Sequence, residues 1–276
     1  MPLLALADTT ITGHLGSAAC IGAIALGGMV FNMAYWLFGF LRMGTSGLTA
    51  QAHGTGNRTQ ALHVLYRSLI VAWGVALLLI AAQRPIFDAA FNFVTATHEV
   101  EQLTATYYRI LIWGAPAVLG LYSFAGWFLG MQNAKAPMVI AIGQNIINIV
   151  ASTVLVFGFA QGMAGVATGT LLAQYAGLFA AIIIWQKQYG KHQASAIKWR
   201  EVCNVTQFKR FFAINGDIFL RTLCLIAVTT YFTAAGSAQG NMVLAANTLL
   251  MQFFIIFSYI MDGFAYAGES IGGHYY

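Results

Sequence analysis

Apolar residues in this chain fall in long unbroken runs, not in the alternation of a half-buried strand or the single stripe of a water-facing helix. Polar or Gly/Pro punctuation divides them into eight stretches. The first, Leu3 to Ile11, is about half of the ~20 residues that a helix needs to cross a bilayer. The second runs from Ala18 to about Ala50 and ends at His53-Gly54-Thr55-Gly56-Asn57. The third covers about Ala61 to Ala82 and ends at Gln83-Arg84-Pro85. About Leu103 to Gly130 forms the fourth, closed by Gln132-Asn133-Ala134-Lys135-Ala136-Pro137. Met138 to Phe159 and Ala164 to Trp185 follow, then about Phe211 to Ala235 and Met242 to Ile271. A membrane β-barrel would show short segments of alternating polarity, so the pattern predicts an all-α, polytopic bundle of transmembrane helices.

Composition points to lipid as the solvent. Of 276 residues 59% are hydrophobic and 8% charged, with a mean hydropathy of +0.72. A soluble domain carries about a quarter charged residues to cover its surface. The net charge of +5 does not read as a nucleic-acid footprint, because Lys187, Lys191, Lys198, Arg200, Lys209 and Arg210 gather in one polar stretch between apolar runs. Arg58 and Lys135 follow stretches two and four, on the same side as that set, whereas the opposite turns hold Arg84 beside Asp88, Glu99 and Glu101. Lys and Arg accumulate in cytoplasmic loops, so the basic turns are expected to face the cytoplasm of a multi-pass protein of the cell (inner) membrane. Cys20, Cys203 and Cys224 lack metal-type spacing and read as reduced structural thiols. The opening Met-Pro-Leu-Leu-Ala-Leu-Ala-Asp8 lacks the basic n-region of a signal peptide. Gly54-Thr-Gly56 lacks the rest of a phosphate loop, and neither a metal cluster nor a serine-nucleophile motif stands out, so an enzyme is not expected.

The chain also carries a weak internal repeat. Gly44-Thr-Ser-Gly-Leu-Thr-Ala-Gln51-Ala-His-Gly54 superposes without gaps on Gly263-Phe-Ala-Tyr-Ala-Gly-Glu269-Ser-Ile-Gly-Gly273. The same shift sets Ile24-Ala25 against Val243-Leu244 and Phe38 against Phe257. Stretches one and two would then match seven and eight, a parallel repeat of the kind that builds two-halved transporters. Glycine-rich helices that resemble one another by composition are the alternative explanation of the same match.

Ala7-Asp8-Thr9-Thr10-Ile11-Thr12-Gly13-His14-Leu15-Gly16 resembles the first-helix signature of the multidrug and toxic compound extrusion (MATE) transporters. Gly44 to Gly54 with Gln51, and Gly130-Met-Gln-Asn-Ala-Lys-Ala-Pro137, are similar to that family's second helix and the turn after its fourth. Asn215-Gly-Asp217-Ile-Phe-Leu-Arg221-Thr-Leu-Cys-Leu and Asp262-Gly-Phe-Ala-Tyr-Ala-Gly-Glu269 resemble helices seven and eight of its DinF-type branch. The resemblance implies twelve helices in two six-helix lobes. On that plan residues 1–185 form an N-terminal lobe whose first helix is incomplete, 186–210 a basic cytoplasmic linker, and 211–276 the start of a second lobe, a chain truncated at both ends.

Candidate chemistry follows from the cost of polar groups in hydrocarbon, at least ~2.5 kcal/mol for a charge. Asp8 lies in an apolar run with no basic neighbour, where the charged form is disfavoured and a proton can come and go. By resemblance it matches the family's first-helix aspartate, which couples cation binding to helix bending; a solvated carboxyl at the outer interface is the alternative. Asn148 and Ser152 share a helix face, as do Thr170 and Gln174. Archaeal-type members carry an aspartate where Ser152 stands, and the loss of that charge favours protons over sodium as coupling ion. Polar glue between helices explains the same four residues equally well. Asp217 and Arg221, four apart, can form an intrahelical ion pair, either a protonation switch or a neutralised structural pair. Gln51, Asp262, Tyr35 and Met33 join Gln174 as candidates for a substrate cavity, with Glu269 left open and Arg42 either lining or snorkelling.

The expected function is a secondary active antiporter that exports organic cations or amphiphilic drugs in exchange for protons, with sodium second. It would use no cofactor or metal, bind a small-molecule substrate, sit in the lipid bilayer, bind no nucleic acid and act as a monomer. The rival readings are a lipid-linked oligosaccharide flippase, which should place several arginines in its cavity, and a non-functional transporter fragment.

Overall fold

The computed structural model describes residues 18–93, 97–190, 199–238 and 241–275. These residues are helical almost throughout, as hydrocarbon demands of a backbone that must satisfy its own hydrogen bonds. Helix α1 (Ala18–Leu37) turns at Phe38 and Gly39 into α2 (Phe40–Gly54). Next come α3 (Arg58–Ala81), α4 (Gln83–Phe93) and α5 (His98–Leu111), which passes through a 3-10 turn (Ile112–Gly114) into α6 (Ala115–Gly130). α7 (Lys135–Thr153) ends in a π turn (Val154–Gly158) and α8 covers Gly162–Tyr189. A single helical turn α9 (Trp199–Val202) precedes two long helices, α10 (Val205–Ala238) and α11 (Asn241–Tyr275). Among the described residues six segments are long and apolar enough to cross a membrane: Ala19–Gly54, Arg58–Ala81, His98–Gly130, Lys135–Gly158, Gly162–Tyr189 and Val205–Phe232. They coincide with apolar stretches two to seven; the eighth is α11, and the first lies outside the described residues.

Sequence explains the turns. Between α2 and α3 Gly56 takes φ +71, a left-handed conformation that costs glycine nothing, and Asn57 caps α3 by accepting from the Gln60 N–H at 3.0 Å. Between α6 and α7 Asn133 Oδ1 accepts from the Ala136 N–H at 3.2 Å. The same side chain donates to Gln188 Oε1 at 2.8 Å, tying this turn to the end of α8. The segment 83–102, read as connection, holds α4 and the start of α5. Pro85 sits in the first turn of α4, where its missing N–H is no loss. Glu99 and Glu101 lie at the positive end of α5, with Arg109 in its last turn. The polar stretch 186–210 is also partly helical, at the end of α8, in α9 and at the start of α10.

The helices meet where side chains are small. Gly126 and Gly130 on α6 lie against the α2 backbone: a methyl group at Gly130 would stand 2.6 Å from Ser46 O and from Thr49 Cβ. Such close approach is how helices gain contact in lipid, where hydrophobic burial gives no net drive. Between them runs a chain of buried hydroxyls, Thr45 to Ser68 to Ser123 at 2.7 Å each, joining α2, α3 and α6. Trp127, fully buried, donates its indole N–H to Ala61 O at 2.9 Å. α11 packs along α2, and α10 touches α2 and α11.

Candidate functional site

The α7–α8 seam holds a set of buried polar side chains. Gly165 and Gly169, another pair of small residues four apart, bring α8 onto α7; a methyl group at Gly169 would meet Ser152 N and Cα at 2.7 Å. Asn148, Ser152, Thr170 and Gln174 all lie buried. The Asn148 amide donates to Thr170 Oγ1 at 3.0 Å, and Thr170 in turn donates to Val166 O at 3.0 Å. That arrangement leaves two amide oxygens and one hydroxyl over. Asn148 Oδ1, Ser152 Oγ and Gln174 Oε1 are buried with no hydrogen-bond partner among the described residues. Gln174 lies against Gly114, in the 3-10 turn, rather than against the other three. The π turn begins two residues after Ser152, and Ala160 beyond it takes φ +52, a strained conformation for a residue with a side chain. Wide turns of this kind often mark functional positions in helices.

Asn148 Oδ1 and Ser152 Oγ, with no carboxylate beside them among the described residues, can receive a proton donor, a water or an oxygen-seeking cation, each of which would relieve a buried polar cost of roughly 1–3 kcal/mol per group. No group of three His, Cys, Asp or Glu that could hold a metal occurs among the described residues. The acidic partner expected from sequence, Asp8, lies outside the described residues.

The remaining expected site residues do not converge on one cavity. Tyr35 is buried, stacked on Phe31 at 5.7 Å beside Tyr108 and Leu79 in a small apolar cleft. Met33, two residues away, points to the opposite face and is 52% exposed. Gln51 is half-buried, Asp262 is exposed, and the Glu269 side chain lies outside the described residues. Asp217 and Arg221 are both exposed on α10, and no ion pair joins them. At four-residue spacing two long side chains reach one another only when held, and here nothing around them does so.

Sequence reasoning did not resolve the contacts that α2 and α3 make with the last three helices. Arg42 on α2 was left between two roles; its guanidinium stands 4.4 Å from the centre of the Tyr266 ring on α11 and donates to that hydroxyl. Asn215 on α10 is buried against Gly44 of α2, its amide bonded to Phe211 O at 2.7 Å and its Oδ1 without a hydrogen-bond partner. Arg67 on α3, 6% exposed, was not singled out at all. Its signal was legible: an arginine inside an apolar run must find acceptors.

Bilayer-length helices, small-residue contacts and a buried uncharged polar seam define a multi-pass membrane protein. Residues 1–154 match the MatE family model. DNA damage-inducible protein F of Escherichia coli (strain K12) is 35% identical over 280 residues, covering 100% of this chain and 60% of that protein. The probable multidrug resistance protein NorM of Thermotoga maritima is 25% identical, covering 82% of this chain and 51% of its own length. Among solved structures, a MATE protein in the bent conformation superposes with a TM-score of 0.87 at 21% identity, covering 99% of this chain and 60% of that one. The chain belongs to the MATE family of transporters. It spans about 60% of the length of the E. coli relative.

Proposed function

We propose that this chain supplies the N-terminal lobe (1–185), a basic linker (186–210) and the first two helices of the second lobe (211–276) of a secondary active antiporter. The antiporter exports organic cations or amphiphilic drugs by alternating access, in exchange for protons, with sodium the second candidate. Family membership supports the transport class, and the name of the Thermotoga relative supports drugs as cargo. The observation that carries the coupling reading is the α7–α8 seam, where buried acceptors stand with no carboxylate beside them among the described residues. A sodium ion favours negative oxygen ligands, whereas a proton carried by a nearby acid needs only acceptors such as Asn148 Oδ1 and Ser152 Oγ. On this reading Asp8 is that acid, and Asn148, Ser152 and Thr170 receive it. Asp217 and Arg221 then act in the second lobe, and Gln51, Gln174, Asp262, Tyr35 and Met33 serve substrate passage.

The test is drug efflux from proteoliposomes of a two-lobe protein that contains this chain, under an imposed pH or Na⁺ gradient, with and without Asp8→Asn. Efflux driven by the pH gradient is expected to fall at least about tenfold in the variant, as for loss of a group acting in the coupled step. Equal efflux by the two proteins would remove the coupling assignment.

A further inference from the structure

We propose that Arg67 clamps the segment between the bundles onto the first bundle, so that α10 pivots about Cys203 and Asn204 when the second bundle moves. The clamp stands on geometry alone; its use as a hinge rests on the antiporter reading.

Arg67 lies nine residues into α3, about 14 Å from its start. Its Nε donates to Val202 O at 2.9 Å and its Nη2 donates to Glu201 O at 2.7 Å. These are the last carbonyls of α9, a single turn whose C-terminal acceptors have no partners within so short a helix. A planar fork suits two adjacent acceptors, and the negative end of the turn suits a guanidinium. Further contacts come from the same face of α3, at positions 63 and 66. Tyr66 meets the Trp199 ring edge-on at 5.7 Å and Trp185 at 6.3 Å. His63 Nδ1 stands 3.9 Å from the Glu201 carboxylate. Val202 is fully buried. A segment that composition marks as a solvated basic tether is thus docked on the bundle at its end.

α10 begins anew immediately afterwards. Asn204 Oδ1 accepts from the Thr206 N–H at 2.9 Å and its carbonyl accepts from the Phe208 N–H at 3.0 Å. On the other side the Cys203 N–H closes α9 onto Trp199 O at 2.9 Å. The bond that crosses between them, from the Asn204 N–H to Glu201 O, is 3.4 Å long, and that oxygen already accepts from Arg67. Cys203 and Asn204 are both exposed. Rotation there breaks one weak backbone bond and carries buried Phe211 and Asn215 across their packing partners, while rotation anywhere in residues 199–202 would strip a buried arginine of its acceptors.

The experiment measures hydrogen exchange by mass spectrometry on a two-lobe protein containing this chain in lipid nanodiscs, as wild type, Arg67→Gln, Arg67→Lys and Trp199→Ala. Exchange of the peptide covering residues 199–204 is expected to rise about tenfold or more in Arg67→Gln, as for loss of charged hydrogen bonds. Arg67→Lys, which keeps the charge without the fork, should fall between. Peptides of α6 and α7 should exchange as in wild type; if Arg67→Gln disturbs them, Trp199→Ala carries the test, with a smaller rise confined to residues 199–204. An unchanged 199–204 peptide overturns the clamp. Transport by the same variants then tests the hinge: turnover should fall in Arg67→Gln with KM for drug unchanged, and turnover equal to wild type despite faster exchange overturns it. A wild type that moves no drug under any gradient defeats the antiporter reading and the hinge with it, while the exchange result still decides the clamp.

Discussion

Two spans of similar composition occupy opposite situations. The segment His98–Gly130, mean hydropathy 1.4, has 72% of its central window buried inside the bundle; Val205–Phe232, at 1.7, has 12%. In water the more hydrophobic helix would be the more buried. In a bilayer hydropathy measures fitness to face lipid, and the inner helix is chosen instead for small residues and for polar groups that find partners. α6 accordingly carries Gly120, Gly126, Gly130 and Ser123 toward its neighbours. α10 turns Leu220, Leu223, Val228 and Tyr231 outward.

The contrast is broken most forcefully at its glycines. Gly130→Val would drive two methyl groups into the α2 backbone, and a neighbour that is main chain cannot swing aside. The expected cost is about 3 kcal/mol, the upper end for overpacking. It should be read as a large fall in the detergent unfolding temperature or as loss of the folded peak in size exclusion. Gly216→Ala on α10 meets open space and exchanges a poor helix former for the best one, so it should cost nothing and can raise stability by up to ~1 kcal/mol. Similar losses at the two positions would mean that α10 is enclosed as tightly as α6.

A smaller effect separates hydroxyls that cross between helices from hydroxyls that do not. Ser68 accepts from Thr45 and donates to Ser123, so Ser68→Ala removes two interhelical bonds at once. Interhelical bonds in membranes contribute roughly 0.6 kcal/mol each on average, so a cost of ~1 kcal/mol is expected. Thr222→Ala on α10 removes only a bond to its own helix, at Ile218 O, and should lie within about 0.3 kcal/mol of wild type. Chemical denaturation of both variants against wild type decides, and a Thr222 loss matching that of Ser68 would reverse the comparison.

Some limits of the helices were legible from turn and cap chemistry, whereas the break at Phe38 and Gly39 and the helix α4 were not. Gly56 and Asn57 can hardly be anything but a turn and a cap, and Asn133 before Ala136 reads the same way. The faces were less legible. Helical spacing put Asn148 and Ser152 together, yet only the Gly165 to Gly169 pair decides that α8 is what they face. Spacing also put Asp217 beside Arg221, where proximity along a helix did not become an ion pair. Tyr35 and Met33 were grouped by chemistry but lie on opposite sides of α1. Contacts between distant segments, such as Arg42 with Tyr266 and Arg67 with Val202, depend on which helices the fold brings together. No local pattern encodes that.

One small predicted effect, set beside a large one, sharpens the contrast most. Leu220 on α10 is 61% exposed and Leu119 on α6 is fully buried, and both are leucines in membrane helices. Truncating Leu119 to alanine leaves a hole that its neighbours cannot close, a cost of about 2–5 kcal/mol. Leu220→Ala gives up contact that lipid chains supply equally well, so its cost should stay within ~0.5 kcal/mol. The two numbers are to be measured by denaturation in the same detergent, first on this chain and then on a two-lobe protein that contains it. If the Leu220 value rises toward that of Leu119 only in the longer protein, other helices cover this face of α10 there. If it is already large in this chain, the outward-facing reading of α10 is wrong, and burial in this bundle cannot be judged from side-chain exposure along that helix.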